Sequence, residues 1–120
     1  NISSLLGAVR SAEELYGRNK TLLICGGDSK EQDFSRISAS QMGSVLKIFI
    51  FGKDKDRIFQ ALKNKVPCIL SEDLEDSINK AKHFGENGNV LLLSPACSSQ
   101  DMFSSYKKRG EKFKQLSGFK

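Results

Sequence analysis

A chain of 120 residues, 38% hydrophobic and 28% charged, has the size and composition of one globular domain that buries roughly two thirds of its unfolded-chain surface around a single core. No apolar run approaches the about 18 residues of a membrane span, and three widely spaced cysteines, Cys25, Cys68 and Cys97, suit neither a disulfide framework nor a C-x-x-C zinc site, so reduced thiols of a cytoplasmic protein are expected. The net charge of +5 is concentrated in Lys107, Lys108, Arg109, Lys112, Lys114 and Lys120, with no tryptophan and no recognition motif, which reads as a solvated helix face rather than a nucleic-acid surface.

The chain starts at Asn1 without a methionine and without a signal-like apolar core, as expected of a piece of something longer. Asn1 to Ser4 offer N-caps for a first helix whose apolar set is Leu5, Leu6, Ala8, Val9, Ala12 and Leu15, with Glu13 and Glu14 outside and an end near Gly17. Thr21 to Cys25 is continuously apolar after Thr21, the pattern of a strand covered on both faces, and it runs into Gly26-Gly27-Asp28-Ser29-Lys30. Asp33 to Met42, interrupted by serines, reads as a short helix or an irregular turn.

Val45 to Phe51 is the clearest strand, rich in β-branched and aromatic residues and closed by Gly52. Asp54 then caps a helix carrying Ile58, Phe59, Ala61 and Leu62, and Pro67 marks Val66 to Leu70 as a weaker strand near a sheet edge. Ser71 to Asp73 lead into a third helix with Leu74, Ile78 and Ala81 inside, Lys80 and Lys82 outside, and Gly85 as its cap. His83, near that end, reads as a surface residue. Val90 to Ser94 is a last strand feeding a helix that starts near Ser98, and the alternation of helix and strand predicts an α/β fold, a Rossmann-like three-layer α/β/α sandwich with a mainly parallel sheet.

No catalytic template fits these residues: there is no phosphate loop of P-loop spacing, no G-x-S-x-G elbow and no histidine-containing metal cluster. Two turns nevertheless invite an anion. Gly26 to Lys30 is a glycine-rich turn ending on a cation, read either as a carboxylate or phosphate cradle or as a plain strand-to-helix turn. In a parallel sheet it emerges on the same edge as the junction after Ser94, where Cys97 and Ser98 precede a helix start whose first N–H groups lack intrahelical partners. On that last helix Ser99, Phe103 and Tyr106 share one face, so a hydroxyl, free amides, a lysine and an aromatic wall would suit a small dicarboxylate.

Leu91 to Ser99, with Asp101, Phe103, Arg109-Gly110 and Phe113, resembles the C-terminal signature of the Mur ligases, most of all in the member that uses D-glutamate; Gly26 to Lys30 followed by Asp33-Phe34 resembles the second hallmark of the same domain. The likeness covers residues 1–120 as a single D-glutamate-binding domain of a longer multidomain enzyme. It implies an ATP-dependent ligase of peptidoglycan precursor synthesis, in which the carboxylate of UDP-N-acetylmuramoyl-L-alanine is activated as an acyl phosphate and attacked by the amine of D-glutamate. ATP and Mg2+ are implied to bind in a central domain, with no cofactor and no catalytic residue in this chain and no membrane span or nucleic-acid partner. The substrate-binding residues implied are Lys30, Ser99, Gln100 and Tyr106; the family often has leucine at the position of Gln100 and phenylalanine at that of Tyr106, so a difference in pocket polarity is an expectation that these two departures raise. Arg109 and Gly110 are read as packing or capping. The alternatives are a sister Mur ligase, folylpolyglutamate synthase, or a stand-alone flavodoxin-like module in which Asp28 would carry the chemistry.

Overall fold

The computed structural model describes residues 2–26 and 32–93. Helix α1, Ile2–Tyr16, buries Leu5, Val9 and Ala12, whose spacings of four and three place them on one stripe. It ends at Gly17, whose φ of 95° lies in the left-handed region that glycine enters without Cβ strain, and whose N–H closes the helix on the Glu13 carbonyl at 2.8 Å. Leu15 departs from expectation at 74% exposed. At 3.6 residues per turn it lies roughly 80° round the axis from Leu5, in the last turn, beyond the reach of the sheet.

Strands β1 (Thr21–Cys25), β2 (Val45–Ile50), β3 (Cys68–Leu70) and β4 (Val90–Leu93) form one sheet in the order β3-β2-β1-β4. Every neighbouring pair is parallel, with Leu23 opposite Ile48 and Leu92 and with Phe49 opposite Ile69. All five residues of central β1 are buried, as its unbroken apolar run requires of a strand covered on both faces. β3 is a three-residue edge strand beginning just after Pro67; that residue has no N–H to give, but its carbonyl still accepts from Ile48 N at 2.9 Å.

The segment from Asp33 to Met42 forms two short 3-10 helices, Phe34–Arg36 and Ala39–Met42. Local polar side chains capture the backbone before an α-helix can propagate: Asp33 accepts from Ser35 N at 3.1 Å, and Gln41 accepts from Ser38 N at 2.9 Å. Phe34, Ile37 and Met42 are still buried, so this connection covers the sheet as a helix would.

Helix α2 (Lys55–Leu62), with Asp54 at its N-cap position, buries Ile58 and Leu62. Helix α3 (Leu74–Phe84) begins where the Asp73 carboxylate accepts from Asp76 N at 2.7 Å and buries Leu74, Ser77, Ile78 and Ala81. Gly85 caps α3, but in extended backbone with φ −69°, so left-handed freedom is not why glycine stands there. A Cβ at this position would come to 3.0 Å from both the Ala81 carbonyl and Leu22 Cδ1.

Two cores follow from the period of two along the strands. Leu23, Cys25, Ile48 and Ile50 pack with Leu5, Val9, Phe34, Ile37, Ile58 and Leu62 on the face covered by α1 and α2. Leu22, Ile24, Phe49 and Phe51 pack with Leu74, Ile78 and Ala81 on the face covered by α3. The three-layer Rossmann-like arrangement expected from the alternation is the one observed, and its sheet is wholly parallel.

Candidate functional site at the carboxyl edge of the sheet

From β1 the chain moves to β2 and β3 on one side, then returns to place β4 on the other side of β1. Helical connections therefore diverge between β1 and β4, and the crevice outside the carboxyl ends of such a strand pair is where open α/β sheets take ligands. The pairing of Ile24 with Leu93 brings the two strand ends side by side. The loop that leaves β1 at Gly26 and the chain that leaves β4 after Leu93 thus depart from neighbouring points.

Both margins of the β1 loop are closely held. A Cβ on Gly26 would lie 2.3 Å from Cζ of Phe51, whose ring is 2% exposed, so no other residue fits there without displacing packed core. Phe51 N also donates to the Cys25 carbonyl at 3.0 Å. On the far margin the Gln32 side-chain oxygen accepts from Ile2 N, in the first turn of α1, at 3.1 Å, while Arg57 Nη2 donates to the Gln32 carbonyl at 2.6 Å. The start of α1 is therefore in contact with Gln32, and the positive end of a helix dipole lies beside it. Asp33, next along, hydrogen-bonds the Ser35 hydroxyl and amide, which together hold its carboxyl below the usual aspartate value of 3.8.

The β3 end of the same edge is closed differently. Lys55 Nζ donates to the Ser71 carbonyl at 3.1 Å, and Lys80 Nζ to the Leu70 carbonyl at 3.0 Å and to Asp76 at 3.1 Å. Lys80 lies on the outside of α3 as expected, with its side chain 42% exposed, and from there reaches back to this edge strand. These cations are engaged with oxygen atoms, leaving the β1/β4 end as the better place for an anion.

Asp76 also accepts from Glu72 N at 2.8 Å, and that backbone bond first, then Lys80, holds its carboxyl below the ordinary 3.8. A carboxyl depressed in the folded state adds stability that is complete above the unfolded value and disappears as pH falls through the folded one. Urea midpoints measured at several pH values should accordingly fall more steeply below about pH 4 in the wild type than in Asp76→Asn. Equal slopes would show that this carboxylate does not contribute.

The four residues expected to bind substrate, Lys30, Ser99, Gln100 and Tyr106, lie outside the described residues, as do Cys97 and Phe103. The described residues supply the frame on which Lys30 is carried. Cys25 is buried, and burial pushes the Cys68 thiol up to about 11, so neither is a ready nucleophile. His83 is exposed on the last turn of α3, as read from the sequence. Among the described residues no group of three His, Cys, Asp or Glu could hold a metal ion, and no helix is long and apolar enough to cross a membrane. Sequence reasoning missed Phe51, Gln32 and Arg57; only the meeting of a glycine with a large residue on the neighbouring strand could have hinted at the first.

Several known proteins similar to this chain carry one name. The UDP-N-acetylmuramoylalanine–D-glutamate ligase of Hydrogenobaculum sp. (strain Y04AAS1) is 38% identical over 115 residues, 96% of this chain and 26% of the relative. Those of Chromohalobacter salexigens and Syntrophus aciditrophicus are 35% identical over 96% of this chain and 37% identical over 92%, covering 25% and 24% of their own lengths. The chain thus spans about a quarter of the length of the relatives it matches. No family model matches it.

Proposed function

The chain belongs to the Mur ligase family as a segment homologous to about a quarter of its UDP-N-acetylmuramoylalanine–D-glutamate ligases, and from that premise we propose that it is the C-terminal, D-glutamate-holding domain of such a cytoplasmic, ATP-dependent enzyme. In the proposed reaction ATP phosphorylates the terminal carboxylate of UDP-N-acetylmuramoyl-L-alanine, giving ADP and an acyl phosphate. The D-glutamate amine attacks the acyl carbon, loses a proton, and phosphate leaves as the amide forms.

We assign Mg2+ and the phosphates of ATP to the rest of the enzyme, since this sequence carries no phosphate loop of P-loop spacing. What remains for this domain is to hold the amine where it can attack. Orientation of that kind removes translational and rotational entropy from the barrier without any bond chemistry by the residues that supply it. Lys30 would pair with one carboxylate of D-glutamate. Ser99, with the amides of its helix start, would take another, and Gln100 and Tyr106 would line the pocket.

The observation that carries this reading is similarity over nearly the whole chain to ligases of one name; the convergence of the β1 and β4 ends supports the placement of the pocket. The test uses the purified enzyme that contains this chain. With ATP, Mg2+ and UDP-N-acetylmuramoyl-L-alanine, ADP and amide should form only when D-glutamate is present. Preference for another amino acid would assign a sister ligase, and preference for a folate would assign folylpolyglutamate synthase; either would overturn the D-glutamate reading.

A further inference from the structure

The amino edge of the sheet, at the opposite end of the strands from the site above, holds a cavity of about 290 Å³ between the starts of β1 and β2, the end of α3 and the turn before β4. We propose that this cavity binds a free apolar α-amino acid, with Phe84 and Leu46 receiving its side chain, Lys20 its carboxylate and Glu86 its ammonium group. The floor is made by an irregularity in β2. Thr21 pairs with Val45 but Leu22 with Lys47, so Leu46 is an extra residue, a bulge, and the alternation of side chains breaks there. Leu46 and Lys47 consequently reach the same face: Leu46 packs against the core beneath α3, and Lys47 Nζ lies 4.1 Å from the centroid of the Phe84 ring. Phe84 is also held edge-on by Phe49, yet it remains 39% exposed. The ring is thus fixed while much of it stays open to a ligand.

Opposite charges stand at its rim, and one side chain brackets both. Asn89 Oδ1 accepts from Glu86 N at 2.7 Å, and Asn89 Nδ2 donates to the Lys20 carbonyl at 3.4 Å. Lys20 is fixed further by its N–H bond to the Ser44 carbonyl at 2.9 Å, after Asn19 has turned through the left-handed region at φ 57°, which asparagine tolerates better than most residues. Among the described residues neither the Lys20 ammonium nor the Glu86 carboxylate forms an ion pair. Two opposite charges brought together and left unpaired match the two ends of a zwitterion. A simple anion would meet like charge at Glu86, and a hydrocarbon would use neither group. The carboxamides of Asn19 and Asn87, which also line the cavity, supply donors and acceptors for the polar atoms left over.

The test is a binding titration followed by saturation-transfer NMR on the ligase that contains this chain, kept saturated with D-glutamate so that its substrate site is filled. L-phenylalanine and L-leucine should bind with dissociation constants of about 1 mM, as suits ligands of so few atoms. L-phenylalaninamide, which lacks the carboxylate, and N-acetyl-L-phenylalanine, which lacks the ammonium group, should each bind about three- to tenfold more weakly. Lys20 and Glu86 are exposed, so Lys20→Gln and Glu86→Gln leave the core intact. In Lys20→Gln the amide should bind as well as L-phenylalanine itself, and in Glu86→Gln the N-acetyl compound should, because each pairing has already been lost.

Any of four results would overturn the assignment: no saturation transfer to either amino acid at about 10 mM, loss of the signal as D-glutamate is raised, equal binding of L-serine, or penalties for the amide and the N-acetyl compound that persist unchanged in the matching variants. The first would show an empty groove, the second a ligand in the substrate site, the third a floor that takes no part, and the fourth a pair of charges that the ligand does not meet. None of these outcomes depends on which amino acid the ligase joins, so the D-glutamate reading stands or falls separately.

Discussion

Lys30→Ala, in the ligase that contains this chain, is expected to raise KM for D-glutamate by about 10- to 100-fold while leaving kcat near the wild-type value. Hydrogen bonds to charged groups contribute roughly 1.5–3 kcal/mol, and each 1.4 kcal/mol corresponds to a factor of ten. A contact made equally in the bound substrate and in the transition state affects KM alone. The proposed lysine contact lies on the part of D-glutamate that does not react, so it belongs to that class. Lys30→Arg should recover part of the loss, since it restores the charge with a different reach and geometry. Steady-state kinetics with D-glutamate varied at saturating ATP reads both effects, and an unchanged KM would remove Lys30 from the site.

Phe49→Ala should cost about 3–5 kcal/mol of stability, close to the whole margin of many domains of this size. Phe49 is fully buried in β2, one of the two inner strands of the sheet, in the core beneath α3. Its ring meets Phe84 edge-on, with centroids 6.3 Å apart and planes at 64°, and Lys47 Nζ lies 4.1 Å from the centroid of the Phe84 ring. Truncation would leave a cavity bounded by two layers that cannot close independently. Urea unfolding should show a lower midpoint with an unchanged slope. A loss below about 1 kcal/mol would mean that α3 relaxes onto the sheet more freely than its packing implies.

Much of the frame was legible because it depends on local pattern. The apolar run of β1, the β-branched and aromatic run of β2, the proline before β3 and the glycine after α1 each carry their meaning within a few residues. What was not legible depends on partners distant in sequence. Lys80 reaches along the surface to β3 because that edge strand presents a carbonyl oxygen, and a side chain on Gly85 would crowd Leu22 and the preceding turn of its own helix. The serines of the β1–β2 connection produced two 3-10 helices where periodicity had no clear preference.

The site divides in the same way. Lys30, Ser99, Gln100 and Tyr106 were reached through motif resemblance, and similarity to the D-glutamate ligases supports the family on which that resemblance rests. They lie outside the described residues, and their roles stand as proposals. The contacts that hold the β1 loop, by contrast, join residues 26 to 51, 2 to 32 and 32 to 57, separations at which no sequence periodicity operates.

Separation of the two half-reactions in Lys30→Ala bears most directly on the assignment of substrate orientation, rather than bond chemistry, to this domain. Acyl-phosphate formation can be followed without D-glutamate by positional isotope exchange in ATP labelled at the β,γ-bridge, and amide formation by product yield as D-glutamate is titrated. The expected result is exchange at the wild-type rate together with a requirement for about 10- to 100-fold more D-glutamate in amide formation. Loss of exchange in step with loss of amide formation would contradict it and would place Lys30 in the phosphoryl-transfer machinery.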